Sequence, residues 1–376
     1  MIGDLDVKPA FEQSALFRRK PQLDFLRGIA ILLVLGHHIY FQPPLSPLEI
    51  GLFGWWLFGG WTGVDMFFVL SGYLVSSLVF NEYLKRGSID PRNFLIRRGF
   101  KIYPGYYFFL LTTIPLLLLL RVSWQPINLL HEALFVQNYL GGIWPHLWSL
   151  AVEEHFYIAF CLLAWLLIRA KIGAKSFKYS CVFCMVLCPI MRAFAVMHPP
   201  WNIYLSHLRM DALAFGVLLS YLHHFEQKGF DSLCRKPLLL LMIGVELVLL
   251  GLCLAPGPQP FGFVAGYTAV YLGYGCILMH ALSTAERKEW LYKLVCKIGF
   301  YSYSIYLWHK AVNYSVKYVM DLLFHRVLPQ EVNIALYLCF AVIWGMLMAK
   351  LIEMPLLRLR DHLFPSKLDS ALLTVE

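Results

Sequence analysis

The chain has 376 residues, of which 59% are hydrophobic and 15% are charged, and its mean hydropathy is +0.62. Soluble domains contain about 45–50% apolar and about 25% charged residues, so this composition excludes an ordinary soluble globular protein. The formal net charge of +9 comes from Lys and Arg gathered in alternate loops. Such loops attract anionic lipid headgroups and give no reason to expect nucleic acid as a partner.

Apolar segments long enough to cross a bilayer recur along the chain. Because positive residues collect in every second loop, we predict an even number of spans with both termini cytoplasmic. The fold class is an all-α polytopic membrane protein, a bundle of about ten transmembrane helices in the inner (plasma) membrane. We expect residues 1–22 to form a cytoplasmic segment without a cleavable signal. Residues 23–356 would form the transmembrane domain, and residues 357–376 would form a cytoplasmic tail. The predicted spans are 23–41, 62–80, 102–120, 147–168, 180–197, 203–222, 237–254, 261–282, 302–323 and 333–355.

The first span, LDFLRGIAILLVLGHHIYF, places an arginine and a histidine on one helical face. Arg27 and His38 are separated by ten residues, which leaves their side chains within roughly 20° of each other and about 16 Å apart along the axis. Ionisable residues inside a membrane usually face the bundle interior or a wet cavity, so both are candidate functional residues. The structural alternative is a snorkelling Arg27 and an interfacial His38.

The second span begins GVDMFFVLSGYLVSS. Asp65 near its start is a carboxylate that could orient an imidazole, or an acid at the membrane interface. Small residues deeper in the span allow close approach of a neighbouring helix. We regard Ser71 and Tyr73 as candidate substrate-binding residues.

The third span is preceded by basic residues and followed by tyrosines, in the segment RRGFKIYPGYY. Arg97, Arg98 and Lys101 next to Tyr103 form a plausible seat for a phosphate and an adenine ring, because arginine binds phosphate through two parallel hydrogen bonds. Positive-inside topology alone would also place positive charges here.

The fourth span contains two consecutive carboxylates in PHLWSLAVEEHFYIAF. Neither Glu153 nor Glu154 is tolerated bare in hydrocarbon, so a structural role requires each to be paired or protonated. A functional role requires one of them to hold the tautomer of a histidine that takes a substrate proton. Trp148, at the outer end, is a candidate for acceptor binding by ring stacking.

Two later segments add ionisable residues. RMDALAFG contains Arg209 and Asp211, for which an internal ion pair is the simplest interpretation, and YSYSIYLWHKAV contains His309, a candidate substrate-binding residue. Among the nine cysteines, three share a helical face in the fifth span but lack a nearby histidine or carboxylate. We therefore expect no metal site and no disulfide framework.

Seven motifs occur in order over residues 22–358: LDFLRG with His38, GVDMFFVLSGYL, RRGFKIYPGYY, WSLAVEEHFY, RMDALAFG, SYSIYLWH and IEMP. This set resembles the signatures of the acyltransferase-3 family of membrane O-acyltransferases. The resemblance implies acyl-CoA, commonly acetyl-CoA, as co-substrate with no bound cofactor, and a carbohydrate or glycolipid acceptor. It also implies that the family's essential arginine and histidine are Arg27 and His38. The family's cytoplasmic arginine pair falls on Arg98 and Lys101, where lysine replaces arginine.

These expectations give one mechanism and two rival interpretations. Cytoplasmic acetyl-CoA would donate its acetyl group to a hydroxyl of an exported sugar of a lipopolysaccharide, capsule, exopolysaccharide or glycolipid. His38, oriented by Glu153, Glu154 or Asp65, would serve as general base or as transient acyl carrier. Some relatives carry a fused hydrolase-like domain after the last span, and we expect none to complete the transfer here. The rivals are a transporter or flippase with a buried proton relay, which uses the same residue types, and a non-catalytic scaffold.

Overall fold

The structure is a computed structural model that describes residues 20–39, 47–198, 202–255, 260–324 and 330–365. Throughout these ranges the regular elements are helices. Those that matter below are α1 (Pro21–His37), α2 (Pro47–Gly59), α3 (Thr62–Arg86), α4 (Pro91–Leu119), α5 (Pro126–Ala133), α6 (Gln137–Leu140), α7 (Trp148–Arg169), α8 (Lys175–Val196), α9 (Met210–Phe225), α10 (Gln227–Leu233), α11 (Pro237–Leu254), α12 (Pro260–Ser283), α13 (Trp290–Phe300), α14 (Ser302–Phe324), α15 (Gln330–Met348) and, after a π-turn at Ala349–Glu353, α16 (Met354–Leu363).

The predicted all-helical architecture is confirmed in the described part of the chain, and every predicted span overlaps one of these helices. Seven helices there are long and apolar enough to cross a membrane, which makes the chain a multi-pass membrane protein. The count of about ten spans and the cytoplasmic location of both termini remain predictions. Short helices such as α2, α10 and α13 were not predicted from the sequence.

Local signals explain where several helices begin and end. Proline occupies the first position of α1 and α4, where its missing N–H costs no hydrogen bond. Asp90 caps α4 by accepting a hydrogen bond from the backbone N–H of Asn93 at 3.0 Å. Helix α3 ends at Gly87, whose φ of 68° lies in the left-handed region that glycine adopts without strain.

Helix α3 lies at the centre of the bundle, and glycine lets α9 approach it closely. A Cβ atom added to Gly72 would lie 2.0 Å from the backbone oxygen of Leu213, and one added to Gly216 would lie 2.2 Å from that of Val69. The small residues of the second span therefore serve the close helix approach that the sequence predicts. By contrast, only 11% of the most apolar stretch of α11 is buried inside the bundle, whereas 72% of the corresponding stretch of α3 is buried. Helix α11 therefore lies at the periphery.

Candidate active site

His38 lies at the end of α1 and its ring points towards α14. The ring is half-buried; its Nδ1 lies 3.0 Å from the backbone oxygen of Val34 and 3.2 Å from Nε2 of His309. The side chain of Asn313 donates a hydrogen bond of 2.6 Å to the backbone oxygen of His38. The end of α1 and the His38 ring are thus both held by α14, and the ring faces protein instead of lipid.

A cavity of about 760 Å³, which we call the histidine cavity, opens beside this ring. Its described lining contains no Asp or Glu, but it includes Arg209, Lys310 and three histidines. Aromatic rings form much of the wall, and a cavity of this size with a few polar groups is typical of small-ligand sites. The aromatic and histidine lining residues are Trp61, Trp148, Tyr204, Phe263, Tyr267, Tyr306, His37, His38 and His146.

A second, narrower cavity of about 80 Å³, the arginine cavity, is lined by Arg27, Arg98 and Lys101. These cations differ in their partners. Arg98 donates a hydrogen bond to the hydroxyl of Tyr157, and its guanidinium lies 3.8 Å from Glu153. Arg27 makes no hydrogen bond or ion pair with the residues that the structure describes, although it is one of the lining groups. Asp24 and Glu153 act on its charge without contacting it, so its N–H groups remain available for direct hydrogen bonds to a ligand in the cavity.

Lys101 is less available than Arg27. Its ammonium group forms an ion pair with Glu353 at the π-turn, and Ser304 donates a hydrogen bond of 2.8 Å to the other carboxylate oxygen. The arginine pair implied by the resemblance is thus represented by one arginine and one lysine, each bound to a carboxylate.

The two cavities meet at Val64 and Tyr306, which line both of them. The hydroxyl of Tyr306 is fixed because it donates a hydrogen bond of 2.7 Å to the backbone oxygen of His146 and lies 2.5 Å from the hydroxyl of Ser149. The two cavities therefore share part of their wall. Arg27 and His38, on one helix, line different cavities on the two sides of this shared wall.

The carboxylates that were expected to orient His38 have other partners. Glu153 accepts hydrogen bonds from Ser71 at 2.9 Å and Tyr157 at 2.7 Å, and it lines the arginine cavity. Glu154 accepts one from the hydroxyl of Tyr103. Glu153 is thus both paired with Arg98 and hydrogen-bonded, as burial of a carboxylate demands, whereas the second oxygen of Glu154 is buried without a hydrogen-bond partner among the described residues.

Asp65, the third candidate, forms a buried ion pair of 2.8 Å with Arg209. None of the three carboxylates contacts the imidazole of His38 in the structure, so the hypothesis that one of them orients it is not supported. The expected pair between Arg209 and Asp211 is also absent from the described contacts. Asp211 instead pairs with Arg192 of α8 at 2.7 Å, because Arg209, just before α9, and Asp211, in its first turn, point to different neighbouring helices.

Two further sequence candidates lie away from both cavities. Arg97 pairs with Asp361 at 3.1 Å and donates a hydrogen bond to the backbone oxygen of Phe364, so it ties α4 to α16. The hydroxyl of Tyr73 lies 2.6 Å from Nδ1 of His223. Trp148 and Ser71, in contrast, line the histidine and the arginine cavity respectively.

The sequence reasoning missed His146, Tyr306 and Lys310 as cavity residues. His146 stands two positions before Trp148 in a segment rich in aromatic rings, and Lys310 directly follows His309. The sequence signal that could have identified these two residues was therefore a polar side chain close to a residue that was already a candidate. The position of Tyr306 one helical turn before Lys310 places both on one face of α14.

Comparisons with known proteins identify the family of the chain. The acyltransferase-3 model, described as an acyltransferase domain, matches residues 20–350. A Staphylococcus aureus strain MSSA476 protein named "Putative O-acetyltransferase" is 29% identical over 333 residues, which cover 80% of this chain and 52% of that protein. The O-acetyltransferase OatA of S. aureus strain NCTC 8325 is 26% identical over 322 residues, or 78% of this chain and 51% of OatA. No solved structure shows significant similarity.

The fold and the two cavities define a multi-pass helical bundle with a polar site between its helices. The family match covers most of the sequence, and the chain belongs to the acyltransferase-3 family. The chain spans about half the length of the curated relatives it matches.

Proposed function

We propose that this protein is a membrane O-acetyltransferase that moves an acetyl group from cytoplasmic acetyl-CoA to a hydroxyl of an exported sugar. The observation that carries the proposal is the arrangement of α1. Its arginine lines one cavity, its histidine lines another, and the two cavities meet at Val64 and Tyr306. A pair of adjoining chambers suits two substrates that approach from opposite sides of a membrane.

The arginine cavity is the proposed donor side. CoA carries several phosphates, and guanidinium groups bind phosphate with charge-assisted hydrogen bonds. Arg27 is the strongest candidate because it makes no hydrogen bond or ion pair with a described residue, although the charges of Asp24 and Glu153 lie near it. Arg98 and Lys101 would contribute after partial exchange of Glu153 and Glu353 for phosphate. The pantetheine arm would then extend towards Val64 and Tyr306, which line both cavities.

The histidine cavity is the proposed acceptor side. Aromatic rings such as Trp148 and Tyr267 stack on the apolar faces of sugars, while Asn202 and Arg209 offer hydrogen bonds to hydroxyls. This lining supports a carbohydrate or glycolipid acceptor, as in a lipopolysaccharide, capsule or exopolysaccharide. The relatives' names, which specify O-acetyl transfer, agree with a hydroxyl as the acceptor group.

His38 supplies the chemistry in this proposal. Its Nε2 takes the proton of the acceptor hydroxyl as the oxygen attacks the thioester carbonyl, and the resulting imidazolium returns the proton to the departing CoA thiolate. The ester bond forms, the thioester bond breaks and no other reactant is needed. A competing route passes the acetyl group through His38 as an acyl-histidine, which trapping with radiolabelled acetyl-CoA in the absence of acceptor would reveal.

The decisive test compares two arginines. Arg27→Gln removes the unpartnered cation, so we expect the KM for acetyl-CoA to rise about 10-fold or more, with the KM for the acceptor unchanged. Arg97→Gln removes a guanidinium that binds α16 outside the cavity, and we expect an unaltered KM for acetyl-CoA. Equal effects of both changes, or none from Arg27→Gln, would contradict the donor-side assignment. Absence of acetyl-CoA binding to purified protein would instead favour the transporter hypothesis.

A further inference from the structure

The ring partner of His38 is another histidine, and its protonation state follows from backbone contacts. His309 is fully buried, and its Nδ1 lies 2.5 Å from the backbone oxygen of Tyr306. A carbonyl oxygen can only accept a hydrogen bond, so Nδ1 of His309 carries a proton. In a neutral imidazole the other nitrogen then bears a lone pair, which makes Nε2 of His309 an acceptor.

The same reasoning fixes the tautomer of His38. Its Nδ1 lies 3.0 Å from the backbone oxygen of Val34 and 3.2 Å from Nε2 of His309. Both of these atoms accept, so the proton of His38 resides on Nδ1 and is shared between them. Nε2 of His38 is left unprotonated, which is the form that a general base needs.

We propose that His309 is the positioning residue of His38 and takes the place that a carboxylate occupies in other catalytic histidine pairs. This inference rests on the proposed function of His38 as general base. The backbone oxygen of Tyr306 fixes the tautomer of His309, and His309 together with the backbone oxygen of Val34 fixes the tautomer of His38. Substrate does not touch His309, because its Nε2 faces the His38 ring and its Nδ1 is bound to Tyr306.

The pair assists the reaction when His38 becomes charged. As Nε2 of His38 takes the hydroxyl proton, the ring becomes an imidazolium and its Nδ1–H becomes a stronger donor to His309. Hydrogen bonds to charged groups are stronger than neutral ones, and loss of this one corresponds to about 10- to 100-fold in kcat. Because Val34 still holds the correct tautomer, the loss should stay below the total loss of a missing base.

Two substitutions of one residue separate this role from packing. His309→Leu removes the acceptor, and we expect kcat to fall about 10- to 100-fold with both KM values unchanged. His309→Gln keeps a side-chain oxygen acceptor near the position of Nε2, and we expect it to recover most of kcat. Tyr337→Phe is the matched control, since it removes a bond of 3.4 Å to Leu35 in the same turn of α1 without touching the ring. A loss shared equally by Leu and Gln at 309 would overturn the proposal.

A spectroscopic measurement tests the pairing without any activity. In protein labelled with ¹⁵N-histidine, the His38 signals are assigned as those absent from His38→Ala. We expect a protonated Nδ1 and an unprotonated Nε2, with the Nδ1 signal shifted in His309→Leu and not in Tyr337→Phe. A proton on Nε2, or a spectrum insensitive to His309→Leu, would overturn the pairing. The expected spectrum in a protein without acetyl transfer would refute the proposed function and leave the pairing standing.

Discussion

A buried carboxyl outside the membrane-spanning helices makes the stability of this protein depend on pH. Glu132, at the end of α5, is fully buried, and its Oε1 accepts hydrogen bonds from the backbone N–H groups of Ile143 at 2.8 Å and Trp144 at 2.6 Å. Burial raises its pKa from 4.5 to about 7, although these two hydrogen bonds oppose the shift. At about 1.4 kcal/mol per pKa unit, the difference corresponds to about 3 kcal/mol.

The sign follows from proton uptake. Between pH 4.5 and about 7 the folded protein holds a proton on Glu132 that the unfolded chain has released. The stabilisation is therefore fully present below pH 4.5 and is lost as the pH rises through 7. Glu132→Gln is neutral at every pH, so we expect it to match the wild type at about pH 4 and to exceed its unfolding free energy by about 3 kcal/mol at about pH 8.

The assay is denaturant-induced unfolding in a mild detergent at several pH values. Subtracting the curve of Glu132→Gln from that of the wild type isolates this one carboxyl, since all other groups titrate in both proteins. Glu286→Gln, a change at an exposed position, is the control and should leave the pH dependence as it is. A difference that stays constant between pH 5 and 8 would refute the assignment.

Three further predictions concern the site and the bundle. His38→Ala should lower kcat by about 10²- to 10⁴-fold with an unchanged unfolding midpoint, and near wild-type turnover would reject a base at this position. Trp148→Ala should raise the KM for the acceptor and leave that for acetyl-CoA unaltered; the reverse pattern would move the acceptor elsewhere. Gly72→Ala should cost about 1–3 kcal/mol of stability in the same unfolding assay, because its Cβ would meet the backbone of α9 2.0 Å away.

The sequence was sufficient for features that depend on local pattern. Hydropathy predicts the long helices, and the spacing of Arg27 and His38 predicts that both face the bundle interior, where each lines a cavity. Small residues in the second span predict the close approach that Gly72 makes. Each of these depends on one helix and its periodicity, which a single sequence contains.

Partners across helices could not be predicted, because helical periodicity gives the face of a residue and not the helix opposite it. Asp65 was a candidate partner for His38, yet it pairs with Arg209, which lies 144 positions away. His309 was considered for substrate binding, yet it contacts His38 across 271 positions. Both outcomes depend on how α3, α9 and α14 pack around α1, and packing of this kind is set by the whole bundle.

The ion pairs in the arginine cavity also determine which of its cations can be substituted to test the proposed donor binding. Lys101 neutralises Glu353, a carboxylate that is 7% exposed, so Lys101→Met would leave a buried charge without its partner. Breaking such a pair costs about 3–5 kcal/mol, and lost stability would then obscure any change in KM. Arg27→Gln breaks no ion pair between described residues. Lys101 therefore has a structural ion pair to maintain, and in the proposed mechanism donor recognition falls mainly on Arg27.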